Sequence, residues 1–424
     1  MIAILLSYAV VGVALLVGGG RLGRRACFVG FLPHVLVLAW LIPRLDEITG
    51  GRVYRDRWTW VSQLDLAFDL RVDGLAATMT LIVAGVGLLV LWYAHGYFAT
   101  DTPTVGRLAG LLVLFAGAMV GLVQSNNFYT FFTFWELTSV TSFLLIGINR
   151  TQARARAAAL QALVVTSAGG LAMLAGFVLV QTETGASTFT QLASGPTPTG
   201  TVITVASVLL LLGAFTKSAQ YPFHSWLPGA MAAPTPVSAY LHSATMVTAG
   251  VYLVARLAPV FATSSLWRPL VFVVGSGTIL AGGLRAIKQD DAKLMLALGT
   301  VSQLGFMIVL FGAGTPSATT AGWLLLVAQA LFKASLFMIV GILDRLTGTR
   351  DFRQLPALGR EWRGIEVTAL VAAATMAGVP LTAGFIAKEA DFDSFADARF
   401  GGHWLVLVVV VAGSLLTAAY SARF

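Results

Sequence analysis

Apolar residues in this chain neither alternate nor keep to one face of a helix. They run on for whole segments, near 3–20, 27–43, 73–95, 107–123, 127–148, 157–180, 201–223, 236–258, 267–287, 293–313, 321–344, 365–387 and 403–420. A helix needs about 20 apolar residues to cross the hydrocarbon core of a bilayer. A transmembrane barrel strand needs only about 10, with alternating polarity. These runs fit helices, so the pattern predicts an all-α polytopic membrane protein with about 13 transmembrane helices. Gly195-Pro196 and Thr315-Pro316 fall between runs as helix punctuation.

Composition removes the other classes. Of 424 residues, 57% are hydrophobic and 11% charged, against about 25% charged in soluble proteins. A soluble globular fold is excluded. The single Cys27 excludes a disulfide framework and any multi-cysteine metal or iron–sulfur site. Gly18, Gly20 and Gly23 match G-x-G-x-x-G, but they follow an apolar helix rather than a strand, which removes the dinucleotide reading. There is no lysine-bearing phosphate loop, no H-E-x-x-H and no nucleophile elbow. Neither a cofactor nor an enzymatic reaction is therefore expected.

The net charge of +8 would suit nucleic acid, but its basic residues lie in short loops between apolar runs, so no nucleic-acid partner is expected. Odd-numbered loops and the C-terminal end hold 16 Lys and Arg, Arg150 and Arg360 among them, while even-numbered loops hold 8. The excess places the odd loops in the cytoplasm and the N-terminus outside, in a multi-pass protein of the cell membrane. The first run begins at Ile2 with no charged segment before it and reads as a span rather than a cleaved signal.

Segments four to eight and nine to thirteen can be laid side by side as two five-helix units, 107–258 and 259–424, after three helices and an external loop in 1–106. An odd number of spans per repeat inverts the second unit, a recurrent device in ion-coupled transporters. The fourth segment of each unit, spans seven and twelve, is interrupted. One carries Lys217 into Tyr221-Pro222-Phe223-His224, and the other carries Gly378-Val379-Pro380 towards Lys388. Breaks at membrane depth free backbone groups and line polar cavities.

The chain has 22 arginines, all in loops by this reading, yet three of its five lysines, Lys217, Lys333 and Lys388, lie in or at the edge of apolar runs. Arginine keeps its proton, whereas a buried lysine can lose it. Glu136 is the one carboxylate near mid-span. An ionisable group at the bilayer centre costs about 2.5–3.5 kcal/mol, which favours pairing or use. The bland alternatives are a structural ion pair or a lysine reaching the interface. His242 lies among Tyr240, Ser243, Thr245 and Thr248, a stripe that could relay protons or simply satisfy a core histidine. His224 follows the first break, while His34 and His95 read as structural.

These residues carry a family resemblance. TKSAQYPFHSWLPGAMAAPTPVSAYLHSATMVTAGVYLVAR, Thr216 to Arg256, resembles the signature of antiporter-like membrane subunits. That family is shared by Mrp-type sodium/proton antiporters, respiratory complex I and membrane-bound hydrogenases. FTFWELTSVTSFLLIG around Glu136 and DDAKLMLALGTVSQLG from Asp290 resemble further family motifs. QALFKASLFMIVGILDRLTGTRD from Gln329 is most similar to the large A-type chain of Mrp antiporters. The resemblance implies inverted five-helix bundles with broken seventh and twelfth spans, and a proton path along the membrane midplane. It places that path on Glu136, Lys217, His242, Lys333 and Lys388. Many A-type chains carry a lysine where this chain has Thr248, so His242 would bridge the half-paths, with Ser243, Thr248 and His224 as accessory groups. The family's A-type chain continues through further spans, so a piece of a longer chain is expected here. The implied function is exchange of cytoplasmic Na+ for external H+ beside other membrane subunits. The alternative is a proton-pumping subunit of a complex I-type dehydrogenase or hydrogenase.

Overall fold

A computed structural model describes residues 1–61, 66–98, 103–149, 151–243, 245–356, 359 and 362–424. Arg150 and Arg360 of the loop-charge count lie outside the described residues. The chain forms two compact units, Met1–Gly213 with Ala232–Tyr240, and Ala214–Met231 with Leu241–Phe424.

The first unit begins with α1 (Ile2–Gly18), α2 (Ala26–Val29), α3 (Phe31–Leu41) and α4 (Leu45–Thr49). An antiparallel hairpin follows, β1 (Tyr54–Val61) against β2 (Leu66–Val72), with Tyr54 opposite Val72. Next come α5 (Gly74–Tyr97), α6 (Pro103–Gln124), α7 (Phe128–Ile146), α8 (Ala153–Thr184), α9 (Phe189–Ser194) and α10 (Thr201–Lys217), whose last four residues belong to the second unit. The most buried of these spans is α6, with 89% of its apolar window inside, against 22% for the segment led by α1. In a bilayer an exposed apolar helix face meets lipid, so α1 needs no polar outer stripe.

The second unit contains α11 (Trp226–Gly229) and α13 (Thr248–Phe261), and α12 (Thr235–Ser243) leads into it. It continues with α14 (Trp267–Ile287), α15 (Ala292–Ala313), α16 (Pro316–Thr347), α17 (Arg363–Ala377), α18 (Ala383–Ala396) and α19 (His403–Ser421). Here α15 is central, 94% buried. Its N-cap Asp291 accepts from the amides of Lys293 and Leu294, and left-handed Gly314 ends it. At 32 residues, α16 is about 48 Å long, longer than the ~30 Å hydrocarbon core, so it must tilt or protrude.

Helix occupies each of the thirteen apolar segments. Among the described residues, ten helices are long and apolar enough to cross a membrane. The segments outside those ten are α7, α10 and the α17–α18 pair. One contains Glu136, one ends at Lys217 and one is broken before Lys388. Lys333 and His242 lie instead in segments that are among the ten.

Candidate functional site

Glu136 belongs to the first unit. Helix α7 is started by Asn127, whose side chain accepts from the amides of Tyr129 and Thr130. Two turns on, Glu136 faces α8, and Ser167 Oγ donates to its Oε2 at 2.7 Å. Its Oε1 is buried and has no hydrogen-bond partner among the described residues. Gly170 makes room for that oxygen, since a Cβ there would collide with it.

The other four expected path residues lie in the second unit. Lys217 is the last residue of α10 and is fully buried. The break after it is closed by side chains. Ser218 Oγ donates to Val247 O at 2.7 Å and accepts from the Val251 amide at 3.1 Å. Trp226 Nε1 donates to Thr216 O, and Thr278 Oγ1 accepts from the Tyr221 amide. His224 stands in the turn that resumes the chain, stacked on Tyr221. The Arg285 guanidinium lies 2.6 Å from its Nε2. Arginine can only donate, so that nitrogen is the acceptor.

His242 is fully buried near the end of α12, its ring 6.2 Å from that of Trp226. Neither ring nitrogen has a hydrogen-bond partner among the described residues. Helix stops at Ser243 and resumes at Thr248, whose Oγ1 donates to Thr245 O at 2.8 Å. The accessory candidates Ser243 and Thr248 thus flank a further helix interruption.

Lys333, on α16, is also fully buried. Its Nζ donates to Leu296 O at 3.3 Å and lies 5.6 Å from the centre of the Tyr420 ring. No carboxylate lies within ion-pair distance of it among the described residues. Gln303 Nε2 donates to Thr417 Oγ1, and Tyr420 OH is 3.5 Å from Gly299 O, giving a buried polar patch beside the lysine. Gln329, one turn earlier on α16, is buried with neither amide atom bonded among the described residues.

Lys388 is 9% exposed on α18. Its ammonium donates to Ala377 O, the end of α17, at 2.7 Å, and lies 3.5 Å from Ser414 O. A cation at a helix C-terminus meets the negative end of its dipole. Gly378, at φ 80°, turns the chain there and lies against the lysine stem, where a Cβ would come 2.7 Å from Cδ.

Two groups escape the sequence reading. Lys293, counted there as a loop charge, is only 2% exposed in the first turn of α15 and donates to Met231 O at 3.1 Å. Asp391, which the sequence reading does not single out, is 1% exposed on α18. Spacing carried a signal for it: Lys388, Asp391 and Phe395 recur at i, i+3 and i+7, the inward face of a helix. Among the described residues no group of three or more His, Cys, Asp and Glu could hold a metal ion.

Residues 125–417 match the family model described as NADH:quinone oxidoreductase/Mrp antiporter, TM. The chain belongs to this NADH:quinone oxidoreductase/Mrp antiporter family. Residues 58–107 match a second model, the NADH-ubiquinone oxidoreductase (complex I) chain 5 N-terminus. The chain is 42% identical to the A/B component of a K(+)/H(+) antiporter of Rhizobium meliloti, over 99% of this chain and 42% of that one. It is 41% identical to the A component of the Na(+)/H(+) antiporter of Alkalihalophilus pseudofirmus, over 88% and 48%. Among solved structures it superposes on a chain of the Mrp complex from Dietzia sp. DQ12-45-1b with TM-score 0.91 and 35% identity, covering 100% of this chain and 47% of that one. An archaeal membrane-bound sulfane sulfur reductase shares the fold, at TM-score 0.88 and 23% identity. The chain spans about half the length of the curated relatives it matches.

Proposed function

We propose that this antiporter-family chain is the proton-translocating part of a multisubunit Na+/H+ antiporter, exchanging cytoplasmic sodium for external protons in the cell membrane. The observation that carries the reading is the pair of fully buried lysines, Lys217 and Lys333, in a chain built of apolar helices. A lysine stored in such a place can accept and release a proton without a large conformational change. The names of the relatives, antiporter subunits for Na+ and for K+, support the same reading.

In this proposal Glu136, Lys217, His242, Lys333 and Lys388 carry the proton, with His224, Ser243 and Thr248 supporting the route. Each charge change alters the proton affinity of the next group through a low-dielectric medium. An ion moving in a partner subunit can thereby drive a proton here without touching it. The proposal includes inverted repeats over 107–258 and 259–424 after the helices of 1–106, with the N-terminus outside. It includes no organic cofactor and no covalent chemistry, so the chain acts as a transporter subunit beside other membrane subunits.

Purified intact complex reconstituted in liposomes tests it. A sodium gradient should move protons in the opposite direction with no electron donor present. Flavin or iron–sulfur absorbance in the complex, with proton movement only on adding a donor and acceptor, assigns the chain to an oxidoreductase instead.

A further inference from the structure

Asp391 has no role in the path described so far, yet its surroundings are unusual. It is 1% exposed, and neither carboxyl oxygen has a hydrogen-bond partner among the described residues. An uncompensated buried carboxylate costs several kcal/mol, so this side chain must hold a proton or meet a cation. A cation stands one turn away: Lys388, at i−3 on α18, shares its face. The neighbouring Glu389, adjacent to Lys388 in sequence, points outward and is exposed.

Other titratable groups on the helices packed against α18 are bonded to other partners or lie near helix ends. On α16, Lys333 is held by Leu296 O and the Tyr420 ring, while Asp344 and Arg345 lie near the helix end. On α17, Arg363 and Glu366 fall in the first turn. On α19, His403 bonds Phe400 O and Tyr420 lies beside Gln303. Lys388 is left as the charged neighbour of Asp391. Ser414 Oγ, buried on α19 beside the lysine's carbonyl contact, also has no hydrogen-bond partner among the described residues.

We infer that Asp391 is a proton-carrying residue of the second helix break, exchanging a proton with Lys388. The step balances within the pair: the N–H bond of the Lys388 ammonium breaks, an O–H bond forms on the Asp391 carboxylate, and both groups become neutral. The ammonium's bond to Ala377 O then weakens, and the lysine is free to take its next proton from the Lys333 side. The inference rests on the proton-path reading proposed above.

The test is sodium-driven proton exchange in membrane vesicles holding the intact complex, measured across a pH series at matched protein level. Asp391→Asn, which can neither take nor give that proton, should lower exchange about tenfold or more and should displace the pH optimum. Asp391→Glu should retain most of the rate. The unfolding temperature of Asp391→Asn in detergent should not fall, because the wild-type carboxyl loses no hydrogen bond. Wild-type rate and pH profile in Asp391→Asn, with Lys388→Ala inactive, overturn the inference alone. Wild-type exchange in Lys388→Ala overturns it together with the path reading. Loss of exchange in both Asp391 variants that tracks a lower unfolding temperature makes the residue structural and also overturns it.

Discussion

The two helix breaks of the second unit solve one problem in opposite ways. After Lys217 the freed backbone is met by Thr278 and Trp226 side chains, Ser218 ties the turn to the backbone of Val247 and Val251, and the lysine is completely enclosed. After Ala377 the freed carbonyl is met by the ammonium of Lys388 itself, while Val379 and Leu381 of the linker are exposed, Leu381 completely. In the first break polar side chains hold the turn. In the second, structural support and titratable group are one side chain. A change of charge at Lys388 therefore loosens the end of α17. The second break is where proton movement should couple to backbone movement.

Deleting single hydroxyls sharpens this contrast and should give the largest stability effect. Ser218→Ala removes a donor to Val247 O and an acceptor for the Val251 amide, so it should cost about 1–3 kcal/mol. Ser414→Ala at the second break deletes an Oγ with no partner among the described residues and should cost within about 0.5 kcal/mol of nothing. Thermal unfolding of the purified variants measures both. Equal losses would show that the breaks are held alike.

The next effect separates packing from proton relay between the breaks. His242→Phe keeps ring volume and gives up no hydrogen bond seen among the described residues. Stability should hold or rise, while exchange falls about tenfold, a barrier increase of about 1.4 kcal/mol. Lower stability with unchanged exchange would make His242 a core residue. Thr248→Lys, restoring the charge expected at that position, should be tolerated.

How far these features were legible in sequence depends on what determines each one. Helical segments follow from local apolar runs, and Lys217, Lys333 and Lys388 stand out because arginine is confined to loops. Lys293 does not stand out, because it sits two residues after Asp291 at a helix start. Its burial depends on Met231, 62 residues away in the chain, lying over it. Asp391 was hidden for a related reason. The run Lys388-Glu389-Ala390-Asp391-Phe392-Asp393 looks like a polar helix end, yet α18 continues to Ala396. The hairpin β1–β2 has the alternating side chains of a strand pair, but within a long loop that pattern is weak evidence against the hydropathy of its neighbours.

The smallest effect lies outside the spans, in the loop after α16. There the Arg353 side chain and amide both bond Asp351, holding its carboxyl below the usual aspartate value. A depressed carboxyl contributes stability above its unfolded pKa, and this is lost as pH falls through the folded value. Asp351→Asn should therefore leave unfolding temperature slightly lower at neutral pH and unchanged in acid. Such an exposed pair contributes little, and a large shift would contradict a surface role.

The central claim is that buried charge at the breaks carries protons, and one measurement meets it most directly. Sodium-driven proton exchange should be compared in vesicles carrying wild-type, Glu136→Ala or Lys217→Ala complexes at matched assembly. The account predicts that exchange disappears in both variants while the complex still forms. Wild-type rates in either one would remove that residue from the path and contradict the account.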